Sequence, residues 1–343
     1  MTNGGMNVTI RIGMIGAGQI GEDHARRIAE EISGAQVTAI ASRRREPAEK
    51  VAEICGARVE NDVASLLAAK DVDAVIIASP SELHEEHVLM ALAAGKQVFC
   101  EKPLAVTAAG CRRIVDAEMK LGRRMIQVGF MRRYDRGYRL LKQAIGGQTF
   151  GAPLMVHCAH RNIMPHGHFT TEMSVTQTAI HEIDVTRWLL DDDYASAQVI
   201  FPSQTANADG SILRDPQLMI LTTKRGVCIN LEVYVNCKFG YDIQCEVVFE
   251  NGVVRMPDPS NLLVRADAKR YTALETDWVL RFIDAYDAEL KEWVEDLEAG
   301  CPRGPSSWDG YAAAVTADAL LRAQKTGAVE PIELEERPEI YRK

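Results

Sequence analysis

The sequence predicts two architectures in one chain: an N-terminal α/β domain with a doubly wound parallel sheet, and a C-terminal α+β domain with an open mixed or antiparallel sheet. Between residues 10 and 129, apolar strand-like runs alternate with amphipathic helical stretches, which indicates a parallel sheet. After residue 129, strand-like segments follow one another with few helices between them, which favours a mixed or antiparallel sheet. At 343 residues the chain exceeds one ordinary hydrophobic core, so we expect domains at 1–129 and 130–343.

The alternation of the first domain begins with an apolar strand, Ile10–Ile15, that runs into a glycine-rich turn. The following stretches are expected as helix, strand, helix, helix, strand, helix, strand, helix and strand. They lie at residues 22–31, 35–41, 47–54, 63–69, 72–79, 85–94, 97–100, 108–121 and 125–129. The run VDAVIIAS at 72–79 is almost uninterrupted in its apolar character, as expected of a central strand that is buried on both faces.

The second domain is expected to be built on strands, with helices at 174–190, 277–298 and 308–326. The predicted strands lie at 153–159, 193–199, 217–223, 227–236, 241–249 and 253–256. An Asn-Gly pair at 251–252 is typical of a hairpin turn before the last of these strands. The sequence has no repeat and no low-complexity linker, so we expect a close domain interface whose crevice receives the substrate.

Composition excludes several classes of protein. Hydrophobic residues make up 47% and charged residues 25%, the balance of a soluble globular enzyme. No run approaches the roughly 18 apolar residues of a membrane span, and a net charge of −9 argues against a nucleic-acid surface. The eight cysteines are scattered without a CxxC pair, and the first residues do not resemble a signal peptide. We therefore expect a cytoplasmic protein with reduced thiols, and the alternating segment 227–248 predicts a sheet face that pairs subunits of a homo-oligomer.

The glycine turn has the strand–turn–helix context of a dinucleotide-binding site. Gly16 permits the tight turn, Gly18 lets a pyrophosphate approach the backbone, and Gly21 lets the helix lie close to the strand. Gln19 and Ile20 complete the loop, and the phosphates would lie at the helix N-terminus, where free N–H groups and the helix dipole favour an anion. This pattern predicts a Rossmann domain that binds NAD or NADP.

The end of the second strand indicates which nicotinamide cofactor is bound. An NAD-type fold carries an acidic residue here, about 20 positions beyond the glycines, to bind the adenosine ribose. This chain instead has Ser42 followed by Arg43, Arg44 and Arg45. A hydroxyl and guanidinium groups suit a 2′-phosphate, because Arg binds phosphate in a bidentate manner. The sequence favours NADP, with NAD use left open; the alternative is a solvated basic helix start.

Two motifs carry the predicted chemistry. The fourth strand of the first domain runs directly into Glu101-Lys102-Pro103, which places Lys102 at the carboxyl edge of the sheet, where the nicotinamide would bind. In the second domain Gln177, His181 and Asp184 are spaced to share one side of a helix. A lysine can stabilise a developing alkoxide and a histidine can take the alcohol proton. A surface turn and a core histidine are the structural alternatives.

Two further segments are weaker candidates. Ser79, Pro80 and His84 follow the third strand and are expected to line the cofactor cleft, although His84 could simply cap or pack at the next helix. His166 and His168 flank a glycine, but no third metal ligand is fixed by spacing and hydride transfer needs no metal, so we predict no metal site.

The order GAGQIG, EKP and HEID resembles the Gfo/Idh/MocA oxidoreductases, and the resemblance extends over essentially the whole chain. Further stretches resemble the polyol-oxidising branch of that family: VGFMRRY at 128–134, HCAHRN at 157–162, NCKFGYDIQC at 236–245 and WDGY at 308–311. The resemblance implies oxidation of a ring secondary alcohol, most closely that of an inositol, or the reverse reduction. It also implies a homotetramer.

The resemblance further implies residue roles. Lys102 would contact substrate and nicotinamide, the adjoining Glu101 would belong to the cofactor site, and His181 would be the general acid/base. The implied polyol contacts are Met131, Arg132, His160, Asn162, Gln177, Asp184, Tyr241 and Tyr286. Two positions depart from the family pattern: Gln177 stands where an Asp completes a Lys-Asp-His relay, and Ser42 stands where an NAD-type Asp is usual. An aldose dehydrogenase of the same fold and a non-catalytic dinucleotide sensor remain the alternatives.

Overall fold

The structure is a computed structural model that describes residues 9–165, 168–258, 262–300 and 302–342, and it divides into two compact units. The first unit comprises Met1–Phe130, Tyr286–Ala314 and Glu336–Lys343. The second unit comprises Met131–Ala285 and Val315–Glu335. Each unit is therefore assembled from separate parts of the sequence, and the linear division at residue 129 stays a prediction.

The first unit contains a six-stranded, entirely parallel sheet in the order β3-β2-β1-β4-β5-β6. Its strands are β1 (Ile10–Ile15), β2 (Ala35–Ala41), β3 (Arg58–Val59), β4 (Ala74–Ile77), β5 (Gln97–Glu101) and β6 (Ile126–Gly129). Its helices in this part of the chain are α1 (Gln19–Glu30), α2 (Arg45–Cys55), α3 (Val63–Ala68), α4 (His84–Ala93) and α5 (Ala108–Leu121). This strand order confirms the predicted doubly wound fold. The prediction missed the two-residue strand β3.

The chain beyond residue 130 contains the strands of the second unit and the remaining helices. The strands are β7 (Pro153–Arg161), β8 (Tyr194–Ile200), β9 (Gln217–Thr223), β10 (Cys228–Tyr234), β11 (Asp242–Phe249), β12 (Gly252–Arg255), β13 (Leu263–Ala266), β14 (Lys269–Thr272) and β15 (Glu330–Pro331). The helices are α6 (Arg136–Gly146), α7 (Ile180–Leu190), α8 (Trp278–Arg281), α9 (Ile283–Ala299) and α10 (Ser307–Thr326). A π-helical segment, Ser174–Ala179, leads directly into α7.

The sheet of the second unit has seven strands in the order β12-β11-β7-β10-β9-β8-β15. β7 and β10 are parallel, whereas the other neighbouring pairs are antiparallel, so the predicted mixed sheet is confirmed. In β9, β10 and β11, buried residues alternate with half-buried ones. One face of these strands therefore forms a core and the other is only partly covered by the described chain.

The core of the first unit explains why its central strands are so apolar. Ile12 and Met14 of β1 are fully buried in one cluster with Ile28 of α1, Phe99 of β5 and Trp293 of α9. Burying each such side chain contributes about 2 kcal/mol relative to leaving it in water. These contacts hold the carboxyl ends of β1, β4 and β5, which carry the candidate site, in a fixed arrangement.

Three helical predictions differ from the structure. The helix expected at 174–190 begins as a π-helix, and α7 proper starts at Ile180. The helix expected at 277–298 is interrupted at Phe282, whose buried ring lies under the guanidinium of Arg281, 4.5 Å from its centroid. No element was predicted at α6, whose first turn is capped by Asp135 accepting from the backbone N–H of Tyr138 at 3.1 Å. None of the described helices is long and apolar enough to span a membrane.

Candidate active site

The glycine turn after β1 packs closely against protein backbone at Gly16 and Gly21, and it has open space beside it at Gly18. Gly16 has φ +106°, and a Cβ there would lie 2.5 Å from the carbonyl carbon of Ala78. A Cβ on Gly21 would lie 2.4 Å from the Gly16 carbonyl oxygen, so α1 packs directly on the turn. A Cβ on Gly18 would meet nothing within 4 Å. Gly18 is therefore a clear place for a ligand to approach the backbone.

The N-terminus of α1 lies at this opening. The helix begins at Gln19, and its N-cap residue Gly18 provides no side chain to cap the first N–H groups. Gln19 is exposed and Ile20 is half-buried. An uncapped helix start next to an open glycine suits the pyrophosphate of a dinucleotide. The residues present therefore fit such a cofactor.

The predicted adenosine-side residues lie between β2 and α2. Ser42 is half-buried, and Arg43 and Arg44 are exposed and make no ion pair with another described residue. Arg45 is the first residue of α2, and its Nε donates to Glu49 Oε1 at 2.8 Å. Two of the three arginines thus keep their guanidinium groups available to solvent.

The segment after β4 is fixed by two histidines of α4. Ser79 Oγ lies 2.9 Å from His87 Nδ1. His84 is only 1% exposed, and its Nε2 and Nδ1 lie 2.8 Å from the Ser79 carbonyl oxygen and 2.7 Å from the Pro103 carbonyl oxygen. His84 is therefore buried against the main chain at Ser79 and Pro103. Ser79 is half-exposed and Pro80 is exposed.

Lys102 follows the last residue of β5, as predicted. Glu101 is buried, and its Oε1 lies 2.8 Å from Nε2 of His24 in α1. The other carboxylate oxygen, Oε2, accepts from the backbone N–H of Lys102 at 3.1 Å. Lys102 itself is half-buried. Its main chain is held by the hydrogen bond to Glu101, so its side chain extends from a fixed point.

In the second unit, His181 lies in the first turn of α7 immediately after the π-helical segment. Its side chain is 8% exposed, and its ring centroid is 6.2 Å from that of His160 in β7. Gln177 is half-buried within the π-helical segment. A π-turn is wider than an α-turn, so the simple i, i+4 relation predicted for Gln177 and His181 does not describe this helix, and such turns often occur at functional sites.

A buried charged network surrounds His160. Arg132 is 1% exposed; it pairs with Glu182, and its Nη2 lies 3.1 Å from His160 Nδ1. That same Nδ1 is 3.0 Å from Glu182 Oε2. One ring nitrogen can donate to the carboxylate or accept from the guanidinium, but not both. The ring of Tyr241 meets His160 edge-on at 5.9 Å, and burial raises the pKa of Tyr241.

The other predicted polyol contacts, which lie outside the network around His160, differ from one another in burial and in hydrogen-bond partners. Asp184 is buried and is bound by Arg133, whose Nε donates to its Oδ2 at 2.8 Å. Met131 is buried. Asn162 is half-buried, but its Oδ1 is buried and has no hydrogen-bond partner among the described residues. Tyr286 belongs to the first unit, where its buried ring lies 5.9 Å from that of His24.

Sequence reasoning missed several residues that organise these sites, namely His24, Arg133 and Glu182. Of these three, Glu182 had the clearest signal in the sequence, because a carboxylate on a helix rich in apolar residues indicates a buried polar or charged partner. His166 lies outside the described residues, and His168 is exposed. No group of three or more His, Cys, Asp or Glu side chains that could hold a metal occurs in the described part of the chain.

The doubly wound sheet, the open glycine turn and the lysine at the end of β5 define a dinucleotide-binding oxidoreductase. The profile of an oxidoreductase family with an NAD-binding Rossmann fold matches residues 10–130, and that of its C-terminal alpha/beta domain matches residues 142–334. The chain therefore belongs to the Gfo/Idh/MocA oxidoreductase family.

Relatives resemble the chain over its whole length. It is 53% identical to inositol 2-dehydrogenase of Pseudomonas syringae pv. syringae (strain B728a) over 336 residues, which are 97% of this chain and 100% of that protein. It is 52% identical to inositol 2-dehydrogenase of Serratia proteamaculans (strain 568) over 338 residues, 98% of this chain and 100% of that protein. The crystal structure of Lactobacillus casei myo-inositol dehydrogenase with NAD(H) and myo-inositol matches with a TM-score of 0.95 and 41% identity, covering 97% and 100% of the two chains.

Proposed function

We propose that the protein is an NAD(P)-dependent dehydrogenase that oxidises a ring secondary hydroxyl of an inositol to the ketone, or catalyses the reverse reduction. The observation that carries this proposal is the full-length similarity, at 53% identity, to a relative named inositol 2-dehydrogenase. The EKP lysine at the end of β5 and the histidine at the start of α7 both lie within the matched regions. Those two residues supply the acid/base chemistry that alcohol oxidation needs.

The proposed roles of the two residues follow from their chemistry. His181 takes the hydroxyl proton, since an imidazole accepts a proton near neutral pH. Lys102 donates a hydrogen bond to the same oxygen and stabilises the negative charge that develops on it. When bound, the nicotinamide accepts a hydride from the carbinol carbon. Gln177 can orient a hydroxyl but cannot take a proton, so the proton is assigned to His181 alone.

The remaining predicted contacts divide into two groups by their surroundings. Asn162 and Gln177 are assigned direct contact with polyol hydroxyls; the unpartnered Oδ1 of Asn162 suits a hydroxyl donor. The predicted polyol contacts that are buried are assigned a supporting role, without direct contact with the hydroxyls. These residues are Met131, Arg132, His160, Asp184, Tyr241 and Tyr286.

We further propose that the cofactor is NADP in preference to NAD. Ser42 leaves room for a 2′-phosphate where a carboxylate would repel it, and the exposed Arg43 and Arg44 provide positive charge beside it. The glycine turn formed by Gly16, Gly18 and Gly21 and the N-terminus of α1 would hold the pyrophosphate. We also propose a cytoplasmic homo-oligomer, a tetramer by resemblance to the family, formed through the partly covered face of the second unit's sheet.

The test is the initial rate of NAD and NADP reduction with myo-inositol, scyllo-inositol and glucose. We expect turnover of an inositol, with a higher kcat/KM for NADP than for NAD. Turnover of glucose alone would replace the inositol proposal with an aldose dehydrogenase. Cofactor binding without turnover of any of the three substrates would contradict the proposed reaction and favour a dinucleotide sensor.

A further inference from the structure

A buried histidine holds the residue that precedes Lys102. His24 of α1 is fully buried, and its Nε2 lies 2.8 Å from Glu101 Oε1. Its ring packs edge-on against Phe99 of β5, with centroids 5.6 Å apart. The second oxygen of Glu101 accepts the backbone N–H of Lys102 at 3.1 Å. A chain of contacts therefore leads from the helix that begins at the glycine turn to the main chain of Lys102.

A second buried histidine holds the residue that follows Lys102. His84 Nδ1 lies 2.7 Å from the carbonyl oxygen of Pro103, and Nε2 lies 2.8 Å from the carbonyl oxygen of Ser79. Carbonyl oxygens only accept, so a neutral imidazole makes one of these hydrogen bonds and an imidazolium makes both. In both protonation states the buried ring lies between the turn that bears Lys102 and the segment after β4, and it donates a hydrogen bond to at least one of them.

Packing restricts the same turn on a further side. Leu104 is buried, and a Cβ added to Gly310 of α10 would lie 2.8 Å from Leu104 Cβ. Gly310 belongs to the WDGY motif, and the absence of a side chain at this position lets α10 approach the turn. The segment 101–104, which carries the Lys102 side chain, is thus held at Glu101, at Pro103 and at Leu104.

We propose that His24 and His84 are positioning residues for Lys102, acting through Glu101 and Pro103 respectively. This inference rests on the role of Lys102 in the proposed function. A lysine ammonium sits at the end of a flexible four-carbon chain, so its placement depends on how well its Cα is fixed. A displacement of about 1 Å at a reacting group can lower a rate by about 100-fold.

Substituting each histidine by both Asn and Gln tests the proposal, because the two histidines contact the turn through different ring nitrogens. His24 contacts Glu101 through Nε2, and His84 contacts Pro103 through Nδ1. The amide nitrogen of Gln lies near the position of histidine Nε2, and that of Asn lies near Nδ1. His24→Gln and His84→Asn therefore retain the donor that faces the turn, whereas His24→Asn and His84→Gln remove it. We expect the second pair to lower kcat/KM for inositol by about tenfold or more relative to the first pair. His157→Gln and His157→Asn provide a matched control on β7, where neither change should affect the rate.

A second measurement separates positioning from general destabilisation. In a Lys102→Ala background, His84→Gln and His24→Asn should cause no further loss of the residual activity, because the side chain that they position is gone. Equal losses in both backgrounds, or the same rates for Asn and Gln at each histidine, would overturn the proposal while leaving the proposed function intact. A wild-type enzyme that oxidises no polyol would overturn both.

Discussion

Two adjacent arginines connect the turn at Met131–Tyr134 to α7 around the proposed base. Arg132 pairs with Glu182 and Arg133 pairs with Asp184, so the acidic residues one and three positions beyond His181 are both occupied. All four side chains are largely buried, and removing one partner of such a pair leaves an uncompensated charge that costs about 3–5 kcal/mol. The pairs fix the start of α7, and with it the backbone that carries His181.

The proposed preference for NADP depends on Ser42 together with the adjacent Arg43 and Arg44, and Ser42 can be tested by a single substitution. Ser42→Asp introduces a carboxylate that accepts from the ribose hydroxyls of NAD and repels the 2′-phosphate of NADP. A charge-assisted hydrogen bond contributes about 1.5–3 kcal/mol, so the ratio of kcat/KM for NADP to that for NAD should fall by about tenfold or more. Steady-state kinetics with both cofactors measures this ratio. Ser65→Asp, the same change at an exposed position in α3, is the control; an unchanged ratio in Ser42→Asp would contradict the account.

A buried carboxylate in the second unit predicts a pH-dependent stability. Burial raises the pKa of Asp215 to about 6, although its Oδ1 accepts from the backbone N–H of Val235 at 3.1 Å. The folded state therefore binds a proton more tightly than the unfolded chain, whose Asp pKa is about 3.9. Asp215 lowers the free energy of unfolding as the pH rises from about 4 to about 6, and the loss is complete above that range.

The substitution Asp215→Asn removes this titration and keeps an acceptor for Val235. Thermal unfolding should show a higher Tm for the variant than for the wild type at pH 8, with the difference shrinking towards pH 4. Asp209→Asn is the control, and its Tm should be lower than that of the wild type at pH 8. The sign is opposite because hydrogen bonds from Ser211 lower the pKa of Asp209, so that its charged form stabilises the folded state. A Tm difference for Asp215→Asn that is independent of pH would show that the buried charge is not its cause.

At the scale of elements, the predictable parts are those with a strong local pattern. The apolar runs of β1 and β4 and the Asn-Gly turn between β11 and β12 were located from sequence, because burial and turn chemistry act over a few residues. The hairpin of β13 and β14 was missed because nearly all of its residues are exposed, which leaves no alternation to detect. The π-helical segment was missed because its composition is that of an ordinary helix start.

At the candidate site, too, local sequence patterns predict only part of what the structure shows. Motif spacing located Lys102 and His181, but their supporting residues depend on contacts between distant parts of the chain. Glu101 and His24 are 77 positions apart, and Arg132 and Glu182 are 50 positions apart. No periodicity within one segment can predict such pairs, since they depend on how the elements pack. The sequence therefore provides candidates for the reacting groups, Lys102 and His181, but does not predict the residues that hold them.

At the scale of the whole molecule, the proposed chemistry is divided between the two units. Lys102 and the glycine turn belong to the first unit, and His181 with its charged network belongs to the second. In the proposed reaction, the unit with the doubly wound sheet carries the dinucleotide site and Lys102, and the unit with the mixed sheet carries His181. Substrate preference can therefore change in one unit without altering the dinucleotide site of the other.

The most direct test of the central claim is the kcat/KM for inositol oxidation by the wild type, Lys102→Ala, His181→Gln and the double variant. We predict that each single change lowers kcat/KM by about 100-fold or more, since general acid–base catalysis contributes about 10²–10⁴-fold. The double variant should lose less than the product of the single losses, because both residues act on one transition state. A single variant that folds, binds cofactor and keeps the wild-type kcat/KM would contradict the account.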